Sequence, residues 1–321
     1  MNYYPTASLS PEARKRLEER VGRALLAHRL HMEAHWVSRA RRVGVTTFHI
    51  GGLLWYHWFM RVGFKMLGLY GWGQHNTLKI RVRLNRLPLH GLPPEFEGFT
   101  ILQLSDLHLD ANPKLVDAVV AAIQPLAYDI AVITGDFRVS TFGGTDPVLA
   151  ALARLRPAIK GDVYAVMGNH DFIEMLLPVE ALSIRFLMNE HVMLRRGNGS
   201  LCLAGVDDPH YYETDNIQAA AAHLNHDVPS ILLSHSPEIY KKAAACGFDA
   251  LLCGHTHGGQ ICLPVGIPVL QNSRAPWRMA QGAWDYQGMR GYTSSGTGSS
   301  GVDVRFWCPP EITLHTLTAN R

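Results

Sequence analysis

Five short motifs carry side chains able to hold a metal ion. SDLH (105–108) supplies Asp106 and His108, and GD (135–136) supplies Asp136. GNHD (168–171) supplies Asn169 and His170, SHS (234–236) supplies His235, and GHTH (254–257) supplies His255 and His257. On extended backbone, side chains two residues apart point the same way, so Asp106 with His108, and His255 with His257, can each face one pocket. Glycine before Asp136 and before Asn169 lets the backbone approach closely. Each motif alone also reads as a polar turn, a helix cap or a hydrogen-bonded histidine. All five together, in this order, are much harder to explain that way. The donors are carboxylate, imidazole and amide, with no thiolate among them. That set suits Mn²⁺, Fe, Zn²⁺ or Co²⁺ over Mg²⁺ or a thiolate zinc site. It is too large for one ion. Two divalent ions about 3.5–4 Å apart, sharing one carboxylate, would use it well.

The elements that must position these residues can be read around them. FTILQLSD (99–106), YDIAVITGD (128–136), DVYAVMGNHD (162–171), PSILLSHS (229–236) and FDALLCGHTH (248–257) each read as a strand running into one motif. In open α/β sheets, sites form beyond the carboxyl ends of the strands, so the five loops can converge there. Residues 112–123, 146–155 and 237–245 read as helices, and LCLAGVDD (201–208) as a further strand. LKIRVRL (78–84) reads as an edge strand, and VDVRFWC (302–308) and ITLHTL (312–317) as the last strands. Strands alternate with helices, which predicts an α/β layered domain. Arg138 follows Asp136 closely enough to meet a substrate phosphate, or to be a solvated loop arginine. Asp207-Asp208-Pro209 reads as a turn, and Asn198-Gly199-Ser200 as a hairpin turn more than a glycosylation site.

The chain has 321 residues, 17 of them histidine, and a formal net charge of +3, which gives no support for nucleic-acid binding. Five cysteines, odd in number and with no CxxC pair, argue against a disulfide framework. The N-terminal part has a different composition. Ser10-Pro11-Glu12 reads as a helix start. Leu17, Val21, Leu25, His28, Met32 and Trp36 then recur at helical spacing, opposite Arg14, Arg16, Arg20, Arg23 and Arg29. Residues 43–60 carry no Asp, Glu, Lys or Arg and are rich in aromatics. Trp55, Tyr56, Trp58, Tyr70 and Trp72 suit the headgroup level of a membrane. The reading is a basic amphipathic helix plus an interfacial apolar anchor over 1–76, and a catalytic domain over 77–321. The apolar run begins too late for a cleaved signal peptide, so the catalytic domain is expected in the cytoplasm. Arg41-Arg42 before an apolar run leaves export as the alternative.

In that order, D-x-H, GD, GNHD, a lone His and GHxH resemble the signature of the calcineurin-like metallophosphoesterases, from about Phe99 to the end of the chain. The flanks LPPEFEGFTILQLSDLHLD, GHTHGGQICLP and RFWCPPEITL resemble the bacterial YkuE/YaeI-type branch, which includes membrane-associated UDP-2,3-diacylglucosamine pyrophosphatases. The resemblance implies a four-layer α/β/β/α sandwich and a dinuclear metal site, with manganese as the expected ion and Fe, Zn or Co as alternatives. It implies Asp106, His108 and His257 at one metal, Asn169, His235 and His255 at the other, and Asp136 between them. His170 is then the catalytic residue, protonating the leaving oxygen or stabilising charge, oriented by Asp106 or Asp171. The expected activity is hydrolysis of a phosphodiester or pyrophosphate at the membrane, on a lipid-linked substrate such as UDP-2,3-diacylglucosamine. A phosphodiesterase or nucleotidase acting on a soluble substrate, and a non-catalytic metal-binding scaffold, are the alternatives.

Overall fold

The structure is a computed structural model that describes residues 9–42, 54–141, 143–222, 224–225 and 227–320, with the side chains at 36–42 and 54–57 outside the description. Most of the expected anchor run, residues 43–53, lies outside the described residues, as do the side chains of Trp55 and Tyr56.

Four helices come first: α1 (Pro11–Val21), α2 (Arg23–Arg42), α3 (Leu54–Met66) and α4 (Tyr70–Asn76). Then follow β1 (Arg81–Leu89), β2 (Thr100–Leu104), α5 (Leu115–Ile123), β3 (Ile130–Thr134), α6 (Asp146–Leu155) and β4 (Asp162–Val166). The middle of the chain gives α7 (Leu176–Glu180), β5 (Arg185–Phe186), β6 (Glu190–Arg196), β7 (Gly199–Gly205) and α8 (Ile217–Ala220). The last elements are β8 (Ser230–Leu233), α9 (Tyr240–Ala245), β9 (Ala250–Cys253), β10 (Gly282–Tyr286), β11 (Met289–Thr293) and β12 (Glu311–Ala319).

The strands form two six-stranded sheets, ordered β1-β12-β2-β3-β4-β5 and β10-β11-β9-β8-β7-β6. Both are mixed. β2, β3 and β4 run parallel in the first, and β7, β8 and β9 run parallel in the second. Every residue of β3, IAVIT, is buried, as expected for a parallel strand covered on both faces.

Alternate residues of these strands enter different cores. Leu102, Leu104, Ala131 and Ile133 pack with Leu115 and Val119 of α5 and Leu152 of α6. Their neighbours Ile101, Ile130 and Val132 meet Leu203, Ile231 and Leu252 of the second sheet. On that sheet's far face, Leu232 and Leu251 pack with Ile217 of α8 and Ala243 of α9. The order through the molecule is therefore helices, sheet, sheet, helices. The parallel strands of both sheets end on one side, and that side gathers the motifs.

Two expectations change. The N-terminal helix is interrupted at Gly22, whose φ of 83° is one that side-chain-bearing residues rarely adopt. The break rotates the second half, so Leu17 and Leu26 share the core of the first sheet while His28 is exposed. It also turns part of the expected basic face inward. Arg20 donates to Glu180 and Glu190 at 2.9 and 2.7 Å. Arg29, wholly buried, donates to Glu33 at 3.0 Å, Asp207 at 2.6 Å and the Asp171 carbonyl at 2.8 Å, and it lies 3.7 Å above the Tyr212 ring. These two arginines grip the body of the two sheets, whereas Arg14, Arg16 and Arg23 are exposed. The expected strand at 302–308 is also absent. Val302, Val304 and Phe306 alternate inward, but only Phe306 finds a strand-like partner, Ile261. No helix among the described residues is long and apolar enough to cross a membrane.

Arg29→Met should cost about 3–5 kcal/mol, because it strands two buried carboxylates without their cation. Arg14→Met, at an exposed site, should change stability by less than about 0.5 kcal/mol. Urea unfolding of both variants checks this, and equal midpoints would contradict it.

Candidate metal centre

The five motifs come together at the carboxyl ends of β2, β3 and β4 from the first sheet and β8 and β9 from the second. Among the described residues, five of the candidate ligands have left-handed backbone: Asp106 (φ 50°), His108 (43°), Asp136 (56°), His255 (71°) and His257 (50°). Such conformations cost of order 1–3 kcal/mol each and persist where the surroundings over-determine them. Here the surroundings are visible. The Asp106 and His108 N–H groups donate to the Gly135 and Asp136 carbonyls at 3.0 and 3.1 Å. The Asp171 carboxylate accepts from the N–H groups of Asp136, Phe137 and Gly168, each at 2.9 Å. Gly168 and Gly254 are needed for close approach: a Cβ on Gly168 would overlap Asp136, and one on Gly254 would overlap Ser105 and Asp106.

The imidazoles are oriented by backbone carbonyls, which only accept. His108 Nδ1 lies 2.6 Å from the Arg138 oxygen and His235 Nδ1 lies 2.8 Å from the Thr134 oxygen. Each Nδ1 must therefore carry a proton, which directs Nε2 inward as the nitrogen available to a metal. His108 Nε2 stands 3.1 Å from His257 Nε2, and His257 Nε2 stands 3.3 Å from Asp106 Oδ1. On the other side, Asn169 Oδ1 is 2.9 Å from His235 Nε2 and 2.8 Å from His255 Nδ1. Donor atoms about 2.1 Å from one ion stand about 3 Å apart when their bonds meet near a right angle. The observed spacings match those of donor atoms gathered around a shared cation. The groups Asp106–His108–His257 and Asp106–Asp136–His235 each bring their donor atoms within 4.8 Å of one another.

Asp136 joins the two sides. Its Oδ2 lies 3.2 Å from His235 Nε2, 3.8 Å from His108 Nε2 and 3.9 Å from His170 Nε2. Its Oδ1 accepts the His170 N–H at 2.9 Å. All seven expected ligands thus meet in one buried cluster. His170 stands at its mouth, with its side chain 19% exposed. Neither Asp106 nor Asp171 orients it. Its Nδ1 lies 2.6 Å from the Val139 carbonyl oxygen, so Nε2 faces the cluster. Arg138 does not project toward a substrate: it is buried over the Phe172 ring at 4.4 Å and donates to the Gly143 carbonyl.

Three features escaped the sequence reading. Arg305 is buried beside His257 Nδ1 at 3.3 Å and also donates to the Ser295 carbonyl at 2.8 Å. Asp171 braces the Asp136 turn through backbone groups. His210 packs its ring 4.1 Å from that of His255 and pairs with Glu238 at 3.0 Å. It lies in the loop beyond β7, another parallel strand ending on the same side, so the strand-end rule could have found it.

Burial holds His108 down to about 3, and burial also drives His255 and His257 well below the ordinary imidazole range, so all three favour the neutral, ligating form. Burial alone would lower His235 too, but the Asp136 carboxylate, with Asp106 behind it, outweighs this and raises His235 to about 10. In the metal-free protein this raised value contributes stability that is full below the unfolded pKa near 6.5 and is lost as pH rises through about 10. A metal must displace that proton. Mn²⁺ uptake by the stripped protein should therefore release a proton at neutral pH and tighten as pH rises toward about 10. Calorimetry in buffers of different ionisation enthalpy reads this directly, and uptake without proton release would contradict it.

Residues 99–259, a span holding all seven candidate ligands and His170, match the model of the calcineurin-like phosphoesterase family. The chain belongs to that family. The metallophosphoesterase YkoQ of Bacillus subtilis is 30% identical over 254 residues, covering 75% of this chain and 92% of its own length. YkuE of the same organism is 30% identical over 241 residues, covering 70% of this chain and 81% of its own. A bovine protein described as a transmembrane protein with a metallophosphoesterase domain is 31% identical over 256 residues, covering 73% of this chain and 56% of its own. The chain thus spans little more than half of the bovine relative. Family membership makes this a metal-dependent phosphoester hydrolase.

Proposed function

We propose that the protein hydrolyses a phosphodiester or pyrophosphate bond with two divalent ions, Mn²⁺ above Fe, Zn²⁺ or Co²⁺. Asp106, His108 and His257 hold one, Asn169, His235 and His255 the other, and Asp136 is common to both. The observation that carries this reading is Asp136 Oδ2, which faces His235 on one side and His108 on the other at 3.2 and 3.8 Å. Bound ions would supply an activated water and neutralise charge on the phosphate oxygens.

The chain's own residues do the rest. Carbonyls of Arg138 and Thr134 fix the imidazoles with Nε2 inward. Asp136 Oδ1 positions His170 through its backbone. The Val139 carbonyl holds the His170 ring so that Nε2 can give a proton to the departing oxygen. All seven ligand residues are buried, whereas the His170 side chain is partly open to solvent.

The substrate in this reading is lipid-linked, of the UDP-2,3-diacylglucosamine type, and is met at the cytoplasmic face of a membrane. The charge-free run at 43–60 supports that choice. The test is hydrolysis by metal-stripped protein reloaded with Mn²⁺, comparing UDP-2,3-diacylglucosamine with bis-p-nitrophenyl phosphate. Release of UMP from the lipid supports the whole proposal. Turnover of the chromogenic diester alone removes the lipid substrate and keeps the metal chemistry. No turnover of either contradicts both.

A further inference from the structure

We propose that helices α3 and α4, together with the hairpin at 261–270, form one surface that seats on an anionic lipid bilayer beside the metal centre. The inference rests on the membrane-surface reading above and assigns the contact to described residues, including a hairpin outside the N-terminal part.

Most of the large apolar side chains exposed among the described residues fall in these two segments. On α3 and the turn after it, Trp58 is 58% exposed, Met66 83% and Leu67 71%. On the hairpin, Val265 is 77% exposed and Ile267 54%, with Leu263 and Val269 also open. An apolar surface this large is unusual for a chain surrounded only by water.

The two segments adjoin. Phe306 packs its ring 5.0 Å from Phe64 of α3 and 5.1 Å from Trp72 of α4. The Phe306 carbonyl accepts the Cys262 N–H at 2.9 Å, at the root of the hairpin. Ile261 packs against the same cluster as Met60, Phe64 and Tyr70. Part of the hairpin backbone is paired internally, with Leu263 N donating to Ile267 O at 2.9 Å, Gly266 N to Leu263 O at 2.8 Å and Val269 N to Ile261 O at 3.1 Å. Such pairing lowers the cost of moving backbone groups out of water.

Charge identifies the occupant. Between Glu33 and Glu95 the chain has no acidic residue but nine Lys or Arg. Of these, Arg61 and Lys65 lie on α3 and are exposed. Between Asp249 and Asp285 there is again no acid, and Arg274 and Arg278 are exposed. Aromatic and aliphatic side chains interspersed with cations fit an anionic headgroup layer, and the acid that the structure brings beside α4, Asp303, is taken up by Gln74, Asn112 and Ser299. A protein partner of ordinary polarity would be expected to find acids here as well. The consequence for the site is proximity: the hairpin begins four residues after His257, so seating it on lipid brings the mouth of the metal centre to the membrane surface.

The test uses the full chain and sedimentation with vesicles of phosphatidylglycerol against vesicles of phosphatidylcholine. Val265→Asp/Ile267→Asp should weaken partition onto phosphatidylglycerol at least tenfold, and Met66→Glu/Leu67→Glu should do the same from the helix side. All four positions are exposed, and unchanged thermal midpoints confirm intact folding. Hydrolysis of bis-p-nitrophenyl phosphate should be unchanged in both variants. Wild-type protein that ignores phosphatidylglycerol, or variants that bind like wild type, would overturn the proposal. So would a wild-type dimer that both variants convert to monomer, since a second copy would then cover the face. Loss of chromogenic turnover in the wild type would instead refute the catalytic reading, whatever the vesicles show.

Discussion

Asp136→Asn is expected to reduce phosphodiester turnover by at least about a thousandfold while the protein stays folded. An outer-shell partner of a metal centre is worth roughly 10–100-fold, and Asp136 stands between two candidate centres. The substitution isolates one oxygen. Asn retains Oδ1, which accepts the His170 N–H at 2.9 Å, so the neighbouring turn keeps its bond. It replaces Oδ2, the atom within 3.2 to 3.9 Å of His235, His108 and His170, by an amide that carries no charge and donates. Two imidazole lone pairs then face an N–H₂ group where a shared anion stood. Metal content should fall together with activity, and elemental analysis of the purified variant reads it. A variant with full metal content and half the wild-type rate would show that Asp136 is a structural turn residue.

His170→Ala is expected to keep its metal and lose roughly 10²–10⁴-fold in kcat, the range for a positioned proton donor. The side chain supplies none of the close donor spacings in the cluster, and its Nδ1 is committed to the Val139 carbonyl at 2.6 Å. Removing the ring therefore removes Nε2 from the mouth and leaves the inner donors in place. The leaving group separates the possible roles. If His170 gives a proton to the departing oxygen, the defect should be large for an alkyl leaving group and small for p-nitrophenolate, which departs without protonation. An equal loss on both substrates would assign His170 to stabilising charge on phosphate. Unchanged turnover on both would remove it from the reaction.

Much of the candidate site is legible in the sequence because its logic is local. Each motif sits directly after a buried strand, and a glycine beside Asp136 and Asn169 announces close backbone approach. What local reasoning misses is set by contacts across the chain. Arg29 looks like one cation on an amphipathic helix, yet its Asp207 partner is 178 residues away. The inward turn of that helix depends on one glycine, Gly22, whose φ cannot be read from periodicity. Asp171 follows His170 and so suggests an orienter. Its oxygens are instead consumed by three N–H groups on two different loops. The stretch at 302–308 alternates like a strand because Val302, Val304 and Phe306 do face one cluster. Strand character also needs a neighbour to pair with, and sequence alternation carries no information about that.

The central claim is that these loops hold two ions whose joint presence switches on hydrolysis. The measurement that tests it most directly is a titration of metal-stripped protein with Mn²⁺, following bis-p-nitrophenyl phosphate turnover and bound metal in the same samples. The account predicts that bound metal reaches two equivalents per chain and that turnover tracks occupancy of the second. Full turnover at one equivalent, or turnover that survives complete stripping, would contradict it.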